Sequence, residues 1–411
     1  MRLVAALLTV ALLALMAVTA AAFLQARARA QTVTSRATTA ATAGDLYFAL
    51  ADLDAEAARL VLLGGGDFQT AGDGAFAGNQ LSALSAYNAR TAQVDADLQA
   101  LPGADGANTS ALAADVTQYR SVADAAIGLD EFPGAFAGSP TDTSIGFYGR
   151  AETLMHDVVL PAAADLRDRT ASASTSAASD AHTWALAGLI GTLVLGVVTT
   201  GALVIAQRKL ARWYRRLLNP ALLAATAITV ALVGGSAVAL TAASQDANAA
   251  GGRLADYLQV VQTRADSYDA DGAAVRSVLM PYLDWNIVTQ QSSAVDKELG
   301  ALGSAADSSA QLWRSGPDAD YATIHADVAG GNVAGALSVE TGTARHEDAF
   351  DFFDYDLGLQ KISSTRLAAF QQASDGLSAD LGPWLWLPWA MAGAALLLVA
   401  LGIRPRLAEY R

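Results

Sequence analysis

Four stretches of this chain run for roughly 20 residues without a charged side chain, at 3–24, 184–206, 220–242 and 384–403. Backbone polar groups find no partner in hydrocarbon, so apolar runs of that length predict helices that cross a bilayer. With 53% hydrophobic and only 16% charged residues, the composition fits a membrane protein. The first run offers Ala20-Ala21-Ala22 as a processing site. Its apolar stretch exceeds the roughly 7–15 residues of a secretory signal, so an uncleaved anchor is the expected reading. The absence of cysteine excludes a disulfide framework, a thiol nucleophile and a Cys-ligated zinc site.

Charge predicts the orientation. The net charge is −14, divided as −10 over 25–183, −12 over 243–383 and +8 over the remainder. Five bases, Arg208, Lys209, Arg212, Arg215 and Arg216, crowd one short loop at 207–219. Positive charge is retained in the cytoplasm, which predicts N-in and C-in, with 25–183 and 243–383 outside and 404–411 as a cytoplasmic tail. Arg27 and Arg29 run against that rule, but the loop outweighs them.

The fold class is therefore all-α, with four spans and two tandem extracytoplasmic helical bundles. A duplication supports the pairing. Leu46, Leu50, Leu53, Ala57 and Leu60 recur at steps of four and three, and Leu254, Leu258, Val261, Ala265 and Tyr268 repeat them 208 residues later. Such spacing predicts a narrow seam buried against neighbouring helices. VDADLQAL at 94–101 and VDKELGAL at 295–302 extend the likeness. Breakers divide each copy into roughly four helices. Gly64-Gly65-Gly66, Pro102 and the loop 131–140 end helices in the first copy, and Pro161 predicts a kink. In the second, Pro281, Gly316-Pro317 and Gly330-Gly331 mark turns, and a long helix is expected from near Val339 to Pro383. Only Gly44 interrupts a helical reading from Leu3 to Leu63, whereas Gly234-Gly235 and Gly251-Gly252 weaken the equivalent stretch from Pro220.

The motifs argue against catalysis. His156, His182, His325 and His346 show no HxxxH or HExxH spacing, and no phosphate loop or nucleophile elbow occurs. No cofactor and no metal site is expected. Glu347, Asp351 and Asp354, with His346, could offer ligands to a hard cation. The preferred reading is an amphipathic helix with Phe350, Phe353 and Leu357 inward and its acids in water. Transport is disfavoured because the spans hold no ionisable residue. They carry small-residue ladders instead, Gly188, Thr192, Gly196 and Thr200 in one and Ala227, Ala231, Gly235 and Ala239 in another. The bases of 207–219 are expected to anchor to anionic lipid, at about 1 kcal/mol each, and a docking surface for a cytoplasmic partner is the sharper, compatible reading. A loop pinned at the membrane does not suit nucleic acid.

In DLYFALADLDAEAARLVLLG (45–64) and RAETLMHDVVLPAAADLRDR (150–169) the chain resembles the actinobacterial GlnX-type membrane sensors. The resemblance implies a receptor for extracellular amino acids. It implies a GlnH-like solute-binding lipoprotein outside and a PknG-like Ser/Thr kinase pathway for glutamate metabolism inside. It assigns no binding residues. The outer segments also resemble the ligand-binding bundles of chemotaxis receptors. A structural envelope protein, whose bundles hold partners without signalling, is the competing class.

Overall fold

The computed structural model describes residues 2–64, 77–101, 106–130, 136–214, 220–379 and 381–408. Twelve α-helices lie among them: α1 (Arg2–Leu63), α2 (Ala77–Ala100), α3 (Gly106–Asp130), α4 (Asp142–Leu154), α5 (Leu160–Tyr214), α6 (Pro220–Leu279), α7 (Asn286–Ala301), α8 (Asp307–Ser315), α9 (Pro317–Ala329), α10 (Val333–Thr341), α11 (Asp348–Ala379) and α12 (Leu387–Ala408). An isolated bridge between Phe136 and Ser139 is the one extended pairing among the described residues. The chain is all-α.

Local chemistry explains where helices begin and end. The Thr141 hydroxyl accepts the Ser144 N–H at 3.1 Å and caps α4, and the Asn332 side chain accepts the Gly335 N–H to cap α10. Pro317 opens α9, where its missing N–H costs nothing. Gly64 closes α1 at φ 60°, a left-handed conformation that a side chain would oppose. Pro161 does not break its helix. The chain passes through one π-turn at Met155–Val159 just before it, with the Leu160 N–H donating to the Met155 carbonyl. That wider turn absorbs the missing donor, so α4 continues into α5.

Two compact units form. One gathers Met1–Arg36, Ala173–Arg253 and Ala369–Arg411. Its core holds Phe23, Ala30, Ala181, Leu240, Ala247 and Leu377, and further along α1 a second cluster joins Leu8, Leu12, Leu203, Leu222, Ala395 and Val399. The small-residue ladders are used in part. A methyl group on Gly196 would come within 2.5 Å of Val233, and one on Gly235 within 2.6 Å of Trp384. Those glycines let neighbours approach, and α6 runs unbroken through both Gly pairs. Ala227 and Ala231 are exposed within this unit. Trp384 also stacks on Phe23 at 4.9 Å. Arg29 lies over Trp184 and 3.9 Å from Asp180, which gives that base a local partner. Helices α1, α5 and α6 contain stretches long and apolar enough to cross a membrane, and Leu387–Leu401 is a shorter apolar helix.

The other unit gathers Ala37–Ser172 and Leu254–Ala368. The expectation was two tandem bundles, whereas both acidic segments pack here into one body. The reason lies in α1 and α6. From Leu46 to Leu63 only Tyr47 and Arg59 escape full burial, and every residue from Ala270 to Met280 is buried. The seam is therefore not narrow: these helices are covered on all faces. Contacts at a constant offset, Tyr257 to Asp45 and Asp271 to Arg59, show that they run parallel.

Two further expectations are corrected. The helix proposed from Val339 is broken between Thr341 and Asp348, where His346 adopts φ 65°. The aromatic face of α11 is also rotated. Phe352, Tyr355 and Leu359 are buried, whereas Phe353 and Leu357 are exposed. Rings already in the core, Trp313 and Tyr268, draw in Phe352 at 6.5 and 4.8 Å.

Candidate functional site

Apolar helices that are buried all round have no reason to carry charge, yet α1 and α6 carry a good deal. Asp52, Asp54, Glu56, Arg264, Asp271 and Arg276 are all buried. Arg264 pairs with Asp356 and Asp52 with Arg90, and the other four sort into two clusters.

Around Asp54 the donors are plentiful. Arg276 Nη1 donates to Asp54 Oδ2 at 2.9 Å, the Tyr119 hydroxyl donates to Oδ1 at 3.1 Å, and His156 Nε2 lies 3.1 Å from Oδ2. Arg276 Nη2 reaches Asp269 at 3.4 Å. The π-turn carries His156 to this position. Burial pushes the Asp54 carboxyl up, but His156, Arg276 and Tyr119 outweigh it and hold it below the usual range. Burial pushes His156 down, and Asp54 more than reverses that, so its pKa is raised.

One helical turn further along, acids outnumber bases. Arg59 donates from Nη1 to Glu56 at 3.0 Å and from Nη2 to Asp271 at 2.8 Å. Glu340 and Asp348, both fully buried, complete a triad with Asp271. Burial, then the charges of Asp52 and Asp271, push Glu56 up to about 7 against the pull of Arg59. Glu340 and Asp348 are raised well above the carboxylate range, first by burial and then by their acidic neighbours.

Beside this cluster lies a cavity of about 390 Å³, within the range of small-molecule sites. Arg59, Glu56, Tyr268, Phe352 and Asp356 line it, together with Asn79, whose side-chain amide donates to the Thr341 carbonyl. Residues of both acidic segments therefore form its wall. Arg264 binds Asp356 through two hydrogen bonds of 2.8 and 2.9 Å and lies over Phe48.

Residues 28–179 match the actinobacterial sensor domain. The match supports an actinobacterial sensor protein, and the apolar helices place it among membrane proteins. The matched residues include Asp54, Glu56, Arg59 and His156. No curated protein and no solved structure matches the chain.

The bases singled out in the sequence lie elsewhere. Arg208, Lys209 and Arg212 are exposed on the end of α5, which continues to Tyr214, so the first part of the expected loop is helical. Arg212, in the last helical turn, suits the negative end of the dipole. Arg215 and Arg216 lie outside the described residues. The four histidines stay apart: His182 bonds Ser244 at 2.6 Å, His325 stacks on Trp285 at 4.5 Å, and His346 is exposed. Glu347 accepts the Ala344 N–H and Asp351 accepts the His346 N–H, so they cap the turn before α11. Asp354 is exposed. Sequence reasoning passed over Arg59, Asp271, Glu340 and Asp348. The repeat gave no signal for them: its next core position after Tyr268 is Gly272, so Asp271 falls beside the seam.

Proposed function

We propose that the protein is a four-span membrane receptor, N-in and C-in, whose charged unit senses extracellular amino acids. It relays their availability to a cytoplasmic Ser/Thr kinase pathway that controls glutamate metabolism. The cavity carries this reading. An amino acid needs a base for its carboxylate, an acid for its ammonium and a surface for its side chain. Arg59, Glu56 with Asp356, and Tyr268 with Phe352 supply these around one cavity. Part of the cavity wall, Glu56, Arg59 and Tyr268, comes from α1 and α6, each of which also contains an apolar stretch long enough to span a bilayer. Delivery by a GlnH-like lipoprotein fits the likeness of 45–64 and 150–169 to GlnX-type sensors. Exit through Arg208, Lys209, Arg212, Arg215 and Arg216 to a PknG-like pathway fits the charge of that segment. The protein performs no catalysis in this scheme.

Ser82 is exposed and lines the cavity, so Ser82→Trp fills it without disturbing the core. The variant should keep its membrane level and abolish the phosphorylation response of the downstream kinase substrate to added glutamate, aspartate or asparagine. Wild-type cells that ignore all three would favour a structural envelope role. A full response in Ser82→Trp would move recognition away from the cavity.

A further inference from the structure

Asp271, Glu340 and Asp348 each present one carboxylate oxygen within 4.8 Å of the other two, and all three residues are fully buried. Five of the six carboxylate oxygens of these residues have no hydrogen-bond partner: Asp271 Oδ1, both of Glu340 and both of Asp348. Arg59 holds the other Asp271 oxygen and divides itself between that residue and Glu56. It compensates one charge at most, so an ionised triad keeps a charge of −2 or more. Uncompensated charge at that depth is untenable, and something must neutralise it.

The hydroxyl of Tyr321 is a second, independent orphan. Its ring is 2% exposed and the oxygen has no partner. After burial itself, the charges of Asp348, Asp271 and Glu340 are the largest influences on that hydroxyl. A phenol beside three carboxylates would normally donate to one of them. Here it donates to none of them.

The geometry points to a binding site for a hard divalent cation of calcium size, held by Asp271, Glu340 and Asp348. Calcium takes six to eight oxygens at about 2.3–2.6 Å, so ligands on opposite sides of it stand up to about 5 Å apart. Magnesium, at about 2.0–2.1 Å, would draw them to about 4.2 Å. Three oxygens, one from each residue and all within 4.8 Å of one another, fit inside the span of the larger ion. If Glu340 and Asp348 bind through both oxygens and Asp271 through Oδ1, five carboxylate oxygens reach the ion, close to its coordination number. A charge of +2 also matches the deficit left after Arg59. The ion would join α6, α10 and α11 across the break at Thr341–Asp348, and Arg59 would couple it to α1 and the cavity.

The competing solution is protons shared within the triad, Asp348 with Asp271 foremost. Full-length protein in detergent, stripped with chelator at pH 7.5, separates the two. Terbium, which replaces calcium on oxygen ligands, should luminesce when the nearby aromatics are excited, because Tyr321 adjoins the triad and Trp313 lies 5.9 Å from Tyr321. Calcium should displace it. At about 100 times its dissociation constant, calcium should shift the folding equilibrium about 100-fold. Asp348→Asn and Glu340→Gln should each weaken the ion at least about tenfold, whereas Asp354→Asn on the exposed face should not. A wild-type protein with no calcium-displaceable terbium signal and no calcium-dependent melting overturns the site in favour of shared protons. So does a signal that survives intact in both triad variants. If one variant fails to fold, the other and the wild-type titration decide.

Discussion

The Asp54 cluster and the triad are neighbours in one core and solve the same problem with opposite stoichiometry. Asp54 is one carboxylate met by Arg276, Tyr119 and His156. The triad is three carboxylates met by part of one guanidinium. Burial penalises both equally. What differs is the supply of donors, and the pKa directions follow: Asp54 is lowered, while Glu340 and Asp348 are raised. A saturated charge is structural, since nothing can be added to it. An unsaturated one is a place where a ligand or a proton changes the energy of the fold.

The sharpest way to break the comparison is to make the saturated site unsaturated. Arg276→Met should destabilise the protein by about 3–5 kcal/mol, because it leaves Asp54 buried against one neutral hydroxyl and a histidine. Thermal melting in detergent measures it, and a loss below about 1 kcal/mol would mean that the pair is not buried as described.

Removing charge from the triad should act in the other direction. In chelator, Asp348→Asn should stabilise the protein by about 1–3 kcal/mol, the scale of an unpaired buried polar group. Loss of stability in chelator would show that the triad is already compensated.

The pH dependence separates the clusters without mutation. Glu56 at about 7, Asp52 at about 6, and Glu340 and Asp348 all have raised pKa values. Such groups favour the fold at low pH, and that stability is lost as pH rises from the ordinary carboxylate range through their folded values. His156, also raised, contributes below its ordinary value near 6.5 and loses that as pH climbs through its folded value. Asp54, lowered, contributes above the ordinary carboxylate value and loses it as pH falls through its own. Chelated protein should therefore melt at higher temperature as pH falls from 8 to 5, then lose stability in stronger acid. A melting temperature that declines steadily from pH 8 to 5 would contradict this assignment.

The smallest effect belongs to a surface pair. Arg314 donates to Asp296 at 2.6 Å, both half-exposed, and Arg314→Ala should cost under about 1 kcal/mol. A larger loss would mean that the pair belongs to the core network rather than to its rim.

Much of the architecture was legible in the chain. The apolar runs, the helix ends at Gly64, Pro281 and Gly316-Pro317, and the repeat at 46–60 and 254–268 all follow from local rules of length, turn chemistry and periodicity. The duplication goes deeper than its motifs. In each copy a Val-Asp step buries its valine and turns its aspartate to an arginine that follows a buried ring: Asp95 to Arg120 after Tyr119, and Asp296 to Arg314 after Trp313. Heptad spacing names one buried face. It does not say how many neighbours arrive, and so it cannot tell a seam from full enclosure. For the same reason Phe353 and Phe352 were exchanged in the reading, one residue apart on a helix whose partners were unknown.

The candidate site was illegible because its members stand far apart in the chain. Arg59, Asp271, Glu340 and Asp348 come from four helices, and in sequence each is an ordinary charge on an ordinary helix. Chain-local physics determined that this protein is helical, membrane-bound and internally repeated. Only packing both acidic segments into one body decided which charges lost their water. Burial, not residue type, is what makes Asp271, Glu340 and Asp348 chemically different from Asp354.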